Sequence, residues 1–407
     1  MKVILTAHGS RGDVYPIIAV AERFLQEGHD VRMLTSHTFC DELNNRKIKG
    51  SYLFEDAKVE MQGLEENAAS VGNSIKWAQK SVVEEFNILK EIASDADLII
   101  STNNEFSVSS IAEAYKIPAF RVAYIPSIPG RNVPPIIPWQ HMPDFFGKPM
   151  WGLINKGLDF MALKTVNKER EILGLKPLKS LAAHFMKTFN NLFAFDSMLV
   201  PPHKSWPEGA YQYCGYPFEQ QKNDIPDYLN EFINAGSAPV YIGFGSVTVK
   251  NPGVFTQMVL DAAKISGCRV VISEGWTGLG SEDLPDYAMV APAVSHDYLF
   301  SKMAAVCHHG GAGTTHRAAK AGVPQFIMPV IIDQFFWGDR VALVNAGPLP
   351  VIPKKLNAKR LAAVFSDLTS NIVYRENALK LQGNLLQQSG VDAIYQAITG
   401  KMSILAA

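Results

Sequence analysis

Three short apolar runs, each broken by a glycine turn, constrain the fold of this chain more than any other feature. They are KVILTAHG at residues 2–9, APVYIGFGSV at 238–247 and AAVCHHGG at 304–311. A run without polar alternation reads as a strand buried on both faces, as in a parallel sheet with helices on either side. After the first run Ile17, Ile18, Ala21, Phe24 and Leu25 recur at helical spacing, and Gly28 stands where a C-terminal cap belongs. DVRMLTS, DADLIIST and IPAFRVAY extend the βαβ pattern through the first half, and RVVISEG, AMVAPAV and PQFIMPVI through the second. At 407 residues the chain is too long for one core, so two doubly wound α/β domains are expected. The expected divisions are 1–208, a proline-rich linker at 209–236, 237–385, and a C-terminal helix at 386–407 able to pack back on the first domain. Facing sheets of this kind bind ligands in a cleft between their strand carboxyl ends.

Composition narrows the class. With 47% hydrophobic and 19% charged residues, a net charge of −1 and scattered basic residues, the chain lacks the footprint of a nucleic-acid binder. No apolar run approaches the ~18 residues of a spanning helix, so no integral membrane association is expected. The apolar run in MKVILTAHG is too short for a signal-peptide core, and a cytoplasmic protein is expected. The 4 cysteines are far apart and form no CxxC pair, which argues against zinc and disulfides. Residues 125–150 are rich in proline and aromatics, the composition of a functional lid or an irregular cover over core. Leu153, Ile154, Leu158, Met161, Ala162 and Leu163 then allow one apolar helical face.

The third apolar run leads into chemistry. Gly310, Gly311 and Gly313 precede Thr314 and Thr315 at the start of a helix, where free N–H groups and the helix dipole attract an anion such as a diphosphate. No GK[ST] follows, so this is not a Walker A loop. His316 occupies the place of a third glycine, and VRMLTS ends without the acid that would hold a ribose, which removes most support for hydride transfer.

HHGGAGTT, the downstream GVPQFIMPVIIDQ and the N-terminal GSRGDVYP together resemble the nucleotide-sugar-dependent glycosyltransferases of family one, nearest the bacterial natural-product and sterol-type subgroup. The resemblance implies a GT-B fold, α/β with two doubly wound Rossmann-like domains. The C-terminal domain would hold a UDP- or dTDP-sugar, such as UDP-glucose or dTDP-rhamnose, as co-substrate, and the N-terminal domain an apolar hydroxylated acceptor. No separate cofactor and no metal are implied. His309 falls where the family contacts the diphosphate, with Gly311, Ala312, Gly313, Thr314 and Ser246 around it. Asp333 and Gln334 fall where donor-sugar hydroxyls are held; a carboxylate accepts from such hydroxyls, while an amide can both donate and accept. Trp276, Val294 and Ser295 fall near the nucleoside.

Asp13 falls where this subgroup carries the base that deprotonates the acceptor hydroxyl. The plainer reading is a helix cap. A polar turn is the plainer reading for Asp333 and Gln334, and a capping or satisfied core histidine for His309. His8 departs from the small residue usual in the subgroup, as a packed ring or a second titratable group. Ser10, Phe106, Trp139, Met142, Phe145 and Phe146 are the expected acceptor pocket, unless the aromatics only roof the core. The DAD at 95–97 reads as a solvated connection rather than a metal motif. An inverting O-glycosyltransferase acting on a flavonoid, other phenol, polyketide or sterol is the leading expectation; a GT-B nucleotide-sugar epimerase and a silent nucleotide-sugar binder are the alternatives.

Overall fold

The computed structural model of the chain describes residues 1–53, 71–102, 105–221, 225–245, 251–274 and 284–406. Its strands form two sheets, parallel at every pairing. In the first, β1 (Lys2–Thr6), β2 (Asp30–Ser36), β3 (Lys49–Leu53), β4 (Leu98–Ser101), β5 (Ala119–Ala123), β6 (Phe189–Phe193) and β7 (Tyr211–Tyr213) lie in the order β3-β2-β1-β4-β5-β6-β7. In the second, β8 (Val240–Gly243), β9 (Val270–Ser273), β10 (Ala288–Ala291), β11 (Ala305–His308) and β12 (Gln325–Ile327) lie in the order β10-β9-β8-β11-β12.

Burial on both faces accounts for the unbroken apolar runs. Val3 and Leu5 pack with Val14, Ile17 and Ala21 of helix α1 (Arg11–Gln26), whereas Ile4 points the other way, into a cluster with Val82 and Phe86 of α2 (Val71–Ile92). In β8, Val240 and Ile242 join one core cluster and Tyr241 another. The strand order reverses between β1 and β4 in the first sheet and between β8 and β11 in the second. Helices on the two sides of such a point cover opposite faces and leave a crevice at the strand carboxyl ends. The loops after β1 and β11, and Gly245 after β8, therefore open onto crevices. Beyond β10, β11 and β12 follow α3 (His296–Ser301), α4 (Ala312–Ala321) and α5 (Gln334–Leu343).

The linker expected at 209–236 is narrower. Tyr211–Tyr213 pairs with β6 as the edge of the first sheet, and the helix Asp227–Asn234 buries Leu229, Phe232 and Ile233 in the second domain's core. The chain therefore crosses between Cys214 and Pro226; a three-residue strand among prolines is too short to show periodicity. The segment 147–163 is helical, passing from Gly147–Leu158 through a π-helical stretch at Asp159–Leu163. Only part of its expected apolar face is covered: Ala162 is buried, but Leu153 is 72% exposed. In the DAD, Asp95 and Asp97 take hydrogen bonds from the Lys2 side chain and backbone at 2.7 Å.

After α6 (Ile372–Leu386) the chain returns to the first domain as α7 (Gly390–Ala406). Arg23 donates to Asp392 at 2.7 Å, and Tyr395 packs on Phe24 with ring centroids 4.9 Å apart. Beside this return lies Asp196, fully buried beyond β6. It accepts from the backbone of Met198 (2.8 Å) and Leu199 (3.2 Å) and from Asn384 (2.6 Å) and Gln388 (3.1 Å). Asp196→Ala should lower unfolding free energy by about 3 kcal/mol, because buried donors lose a charged acceptor. Chemical denaturation measures this, and an unchanged midpoint would show that the domains are not held there.

Candidate functional site

The crevices open into one cleft of about 2070 Å³, lined by both domains. On the first domain its wall is the turn after β1. Gly9 has φ +112°, which a side chain would oppose, and a Cβ there would stand 2.6 Å from Asp13 Oδ2. Ser10 is the N-cap of α1, its hydroxyl accepting from the Gly12 N–H at 3.2 Å. Asp13 Oδ2 in return accepts from the Ser10 N–H (2.8 Å) and hydroxyl (2.9 Å), which completes a capping box. Asp13 thus serves the helix end with one oxygen. Its Oδ1 has no hydrogen bond among the described residues, and the residue lines the cleft. Burial raises the Asp13 carboxyl above its ordinary value, opposed by the two bonds from Ser10. The Tyr124 hydroxyl donates to the Asp13 carbonyl at 2.9 Å and ties the turn to the end of β5.

On the second domain the wall is the turn after β11. Gly310, at φ +95°, has no room for a Cβ, which would meet the Gln334 carbonyl at 2.9 Å. A Cβ on Gly311 would lie 2.6 Å from His309 Nε2, one on Gly245 3.1 Å from His309 Cε1, and one on Gly313 2.8 Å from the Tyr216 hydroxyl. These glycines make space for the protein's own rings as well as for a ligand. In α4 the bond from Thr315 N to Gly311 O (3.0 Å) leaves the N–H groups of Ala312, Gly313 and Thr314 at the open helix end. The Thr315 hydroxyl turns back to Gly311 O (2.9 Å), whereas Thr314 lines the cleft. His309 Nδ1 is buried without a hydrogen-bond partner among the described residues. Burial, with His308 and His296 nearby, pushes His309 down to about 3, so the ring is neutral near pH 7 and can donate from only one nitrogen.

Asp333 is the N-cap residue of α5, and burial together with the Asp13 charge raises its carboxyl to about 7. Asp13 and Asp333, one from each domain, both line the cleft. Gln334 differs from expectation: its Oε1 accepts from Val330 N (2.8 Å) and Ile331 N (3.1 Å), so its amide can only donate to a ligand.

Of the other expected residues, Ser10, Phe106, Val294 and Ser295 line the cleft, with Ser295 capping α3. Ser246 and Trp276 lie outside the described residues. Trp139, Met142, Phe145 and Phe146 are not among the cleft-lining residues, contrary to the expected acceptor pocket. Trp139 is 70% exposed, and the 3₁₀ turn Asp144–Phe146 leaves Phe145 68% exposed against Phe146. The first domain's side of the cleft is lined instead by His8, Ser81, Glu85, Thr102 and Ile125 with Phe106.

Glu85 was not foreseen, although a carboxylate at a core position of the stripe Val82, Phe86 and Leu89 is a legible signal. It accepts from the Ser107 N–H (3.1 Å) and hydroxyl (2.6 Å) and stands 3.7 Å from His8 Nε2. Burial raises Glu85 to about 7 and lowers His8 to about 4. Arg317, also unforeseen, lines the second wall but is held by Glu219 (3.0 Å) and Asp297 (2.8 Å). Among the described residues no His, Cys, Asp and Glu cluster could hold a metal ion.

Comparison with known proteins agrees with this layout. Residues 3–133 match the glycosyltransferase family 28 N-terminal domain, and 257–398 the C-terminal domain of erythromycin biosynthesis protein CIII-like proteins. The chain is 30% identical to glycosyltransferase GtfE of Amycolatopsis orientalis over 85% of each chain. It is also 30% identical to a sterol 3-beta-glucosyltransferase of Pichia angusta, over 98% of this chain but 33% of that protein. The chain thus spans about a third of the length of such fungal relatives, 34% for that of Komagataella phaffii. The glycotransferase of kitacinnamycin superposes with TM-score 0.76 at 15% identity over 98% of both chains, a likeness of fold. The calicheamicin glycosyltransferase CalG4 gives 0.74 at 16% identity over 100% of this chain and 99% of that one.

The Glu85 carboxyl gives a pH signature. Because folding raises its pKa from 4.5 to about 7, its contribution to stability is full below about pH 4.5 and is lost as pH rises through about 7. Glu85→Gln keeps an acceptor for Ser107 and should flatten the fall in melting temperature between about pH 5 and pH 8. An unaltered pH slope would show that Glu85 is ionised throughout.

Proposed function

The chain belongs to the family-one-like glycosyltransferases of GT-B fold, with sterol and natural-product enzymes among its relatives, and from that footing we propose that it is an inverting O-glycosyltransferase. The donor is a UDP- or dTDP-sugar, and the acceptor an apolar small molecule with a hydroxyl, of the flavonoid, phenol, polyketide or sterol kind. The observation that carries this reading is that one cleft is lined both by Asp13, with Oδ1 unengaged, and by Asp333 with the glycine turn that leads into α4.

Asp13 takes the proton of the acceptor hydroxyl as its oxygen forms a bond to the anomeric carbon. The bond from that carbon to the diphosphate breaks on the opposite side, and the diphosphate leaves with the electron pair. The N–H groups of Ala312, Gly313 and Thr314 and the positive end of α4 take up its charge, with neutral His309 as a further donor. Asp333 accepts from sugar hydroxyls, and Gln334 donates to one. Ser246 and the Trp276 region complete the donor side in this reading, and no metal takes part.

Pairing UDP-glucose and dTDP-rhamnose with a panel of flavonoids, phenols, polyketides and sterols should give, by mass spectrometry, a product heavier by one sugar. Full turnover in excess chelator is expected, and loss that magnesium restores would contradict the metal-free reading. Asp13→Asn should lower kcat by about 10²- to 10⁴-fold with little change in donor affinity by calorimetry. Because the base must be ionised, activity should fall as pH drops through the raised Asp13 pKa, with an acid limb above the ordinary carboxylate value of 3.8. Undiminished transfer by the variant would remove Asp13 from this role.

A further inference from the structure

The aromatics that stand outside the cleft form a surface of their own. Phe145 leads into the helix Gly147–Leu158, on which Leu153 is 72% exposed, and Phe160 in the π-helical stretch is 75% exposed. Trp139, in the turn before them, is 70% exposed. Large side chains so bare and so close along one segment exceed the scattered apolar exposure of an ordinary surface.

Exposed lysines outnumber exposed carboxylates around them. Lys148, Lys156, Lys164 and Lys168 are exposed on the same helical run, and none has an ion-pair partner among the described residues. Along the chain Phe160 stands midway between Lys156 and Lys164. Of the nearby carboxylates, Asp144 stands 3.5 Å from His203, Asp159 accepts from the Leu181 N–H (2.8 Å), Glu169 pairs with Lys90 (3.2 Å), and Glu171 is exposed three residues beyond Lys168. Apolar side chains interleaved with free lysines on one helical run are the pattern of a helix that lies in a bilayer interface, its apolar groups among acyl chains and its cations among anionic headgroups. Among the described residues no helix is long and apolar enough to cross a membrane, so the contact would be peripheral.

The same segment also reaches the cleft. Leu158 lies between Leu153 and Phe160 in sequence and lines the cleft, as does Ile136 just before Trp139. We propose that the exposed run Leu153, Lys156, Phe160 and Lys164, with Phe145 and Lys148 at its start, docks on an anionic lipid bilayer, beside the first domain's side of the cleft. An apolar acceptor dissolved in that bilayer would then reach the cleft along Leu158 and Ile136 without crossing water; this last step alone rests on the proposed transferase activity.

The test is sedimentation of the full chain with vesicles, either of phosphatidylcholine alone or of equal parts phosphatidylcholine and phosphatidylglycerol. Pelleting with the anionic vesicles, reversed by salt, is expected. Lys156→Glu with Lys164→Glu should weaken it at least about tenfold, and so should Leu153→Ser with Phe160→Ser. Melting temperatures close to that of the parent show that these exposed changes leave the fold intact. No pelleting with anionic vesicles, or equal pelleting by folded variants, overturns the proposal. So does a dimer on gel filtration that Leu153→Ser with Phe160→Ser dissociates, since a second copy then covers the face. Vesicle binding needs neither donor nor acceptor, so its failure is separate from failure of the catalytic reading.

Discussion

Asp13 Oδ2 is held by two donors from Ser10, and the geometry of the cleft follows from that contact. The capping box fixes where α1 begins, and α1 begins at the switch point of the first sheet. The position of Gly9 is restricted to glycine, because its φ is positive and no Cβ fits beside the carboxylate. Tyr124 fastens the same turn from β5. The structural and chemical readings of Asp13 are therefore compatible: the bonds that close the helix leave Oδ1 to the cleft. A side chain anchored by its own helix end loses little freedom when it meets a substrate, which is the preorganisation that positioned acid–base chemistry needs.

Electrostatics on the two walls complement one another. His309, His296 and His8 are held neutral by burial, and Arg317 is committed to Glu219 and Asp297. What the second domain offers an anion is the open end of α4, a dipole built into the backbone rather than a titrating cation. Asp333, raised to about 7 by burial and by Asp13, carries less charge near neutral pH than an ordinary aspartate, which would lessen repulsion toward an anionic ligand. Asn384 and Gln388, reaching Asp196, tie the second domain's last helices to the first domain.

The sequence made the fold class, the strands and the glycine turns legible because the apolar runs are too short for buried helices and end at glycines. It also marked Asp13, His309, Thr314 and Asp333, which the structure brings to one cleft. It misjudged residues whose environment comes from distant chain. Tyr211–Tyr213 is a strand only because β6 lies beside it, and the proline-rich aromatics could not be told from a pocket lining without knowing which side faces out. Gln334 reads in sequence as free to accept, whereas the N–H groups of Val330 and Ile331 engage its oxygen. Glu85 was hidden inside a helical apolar stripe. Gly311 and Gly313 suggested room for a ligand, yet the rings they clear, His309 and Tyr216, are fixed by tertiary packing alone.

The proposed reaction is a single displacement, with the base on one wall and the leaving diphosphate on the other. Its most direct measurement is the anomeric configuration of the product, read by NMR from the coupling at the anomeric proton. An α-linked donor such as UDP-glucose should give a β-linked product, because the acceptor oxygen enters opposite the departing diphosphate. An α-linked product would contradict the account, since retention requires attack from the leaving-group side or a second displacement that this cleft has not been assigned.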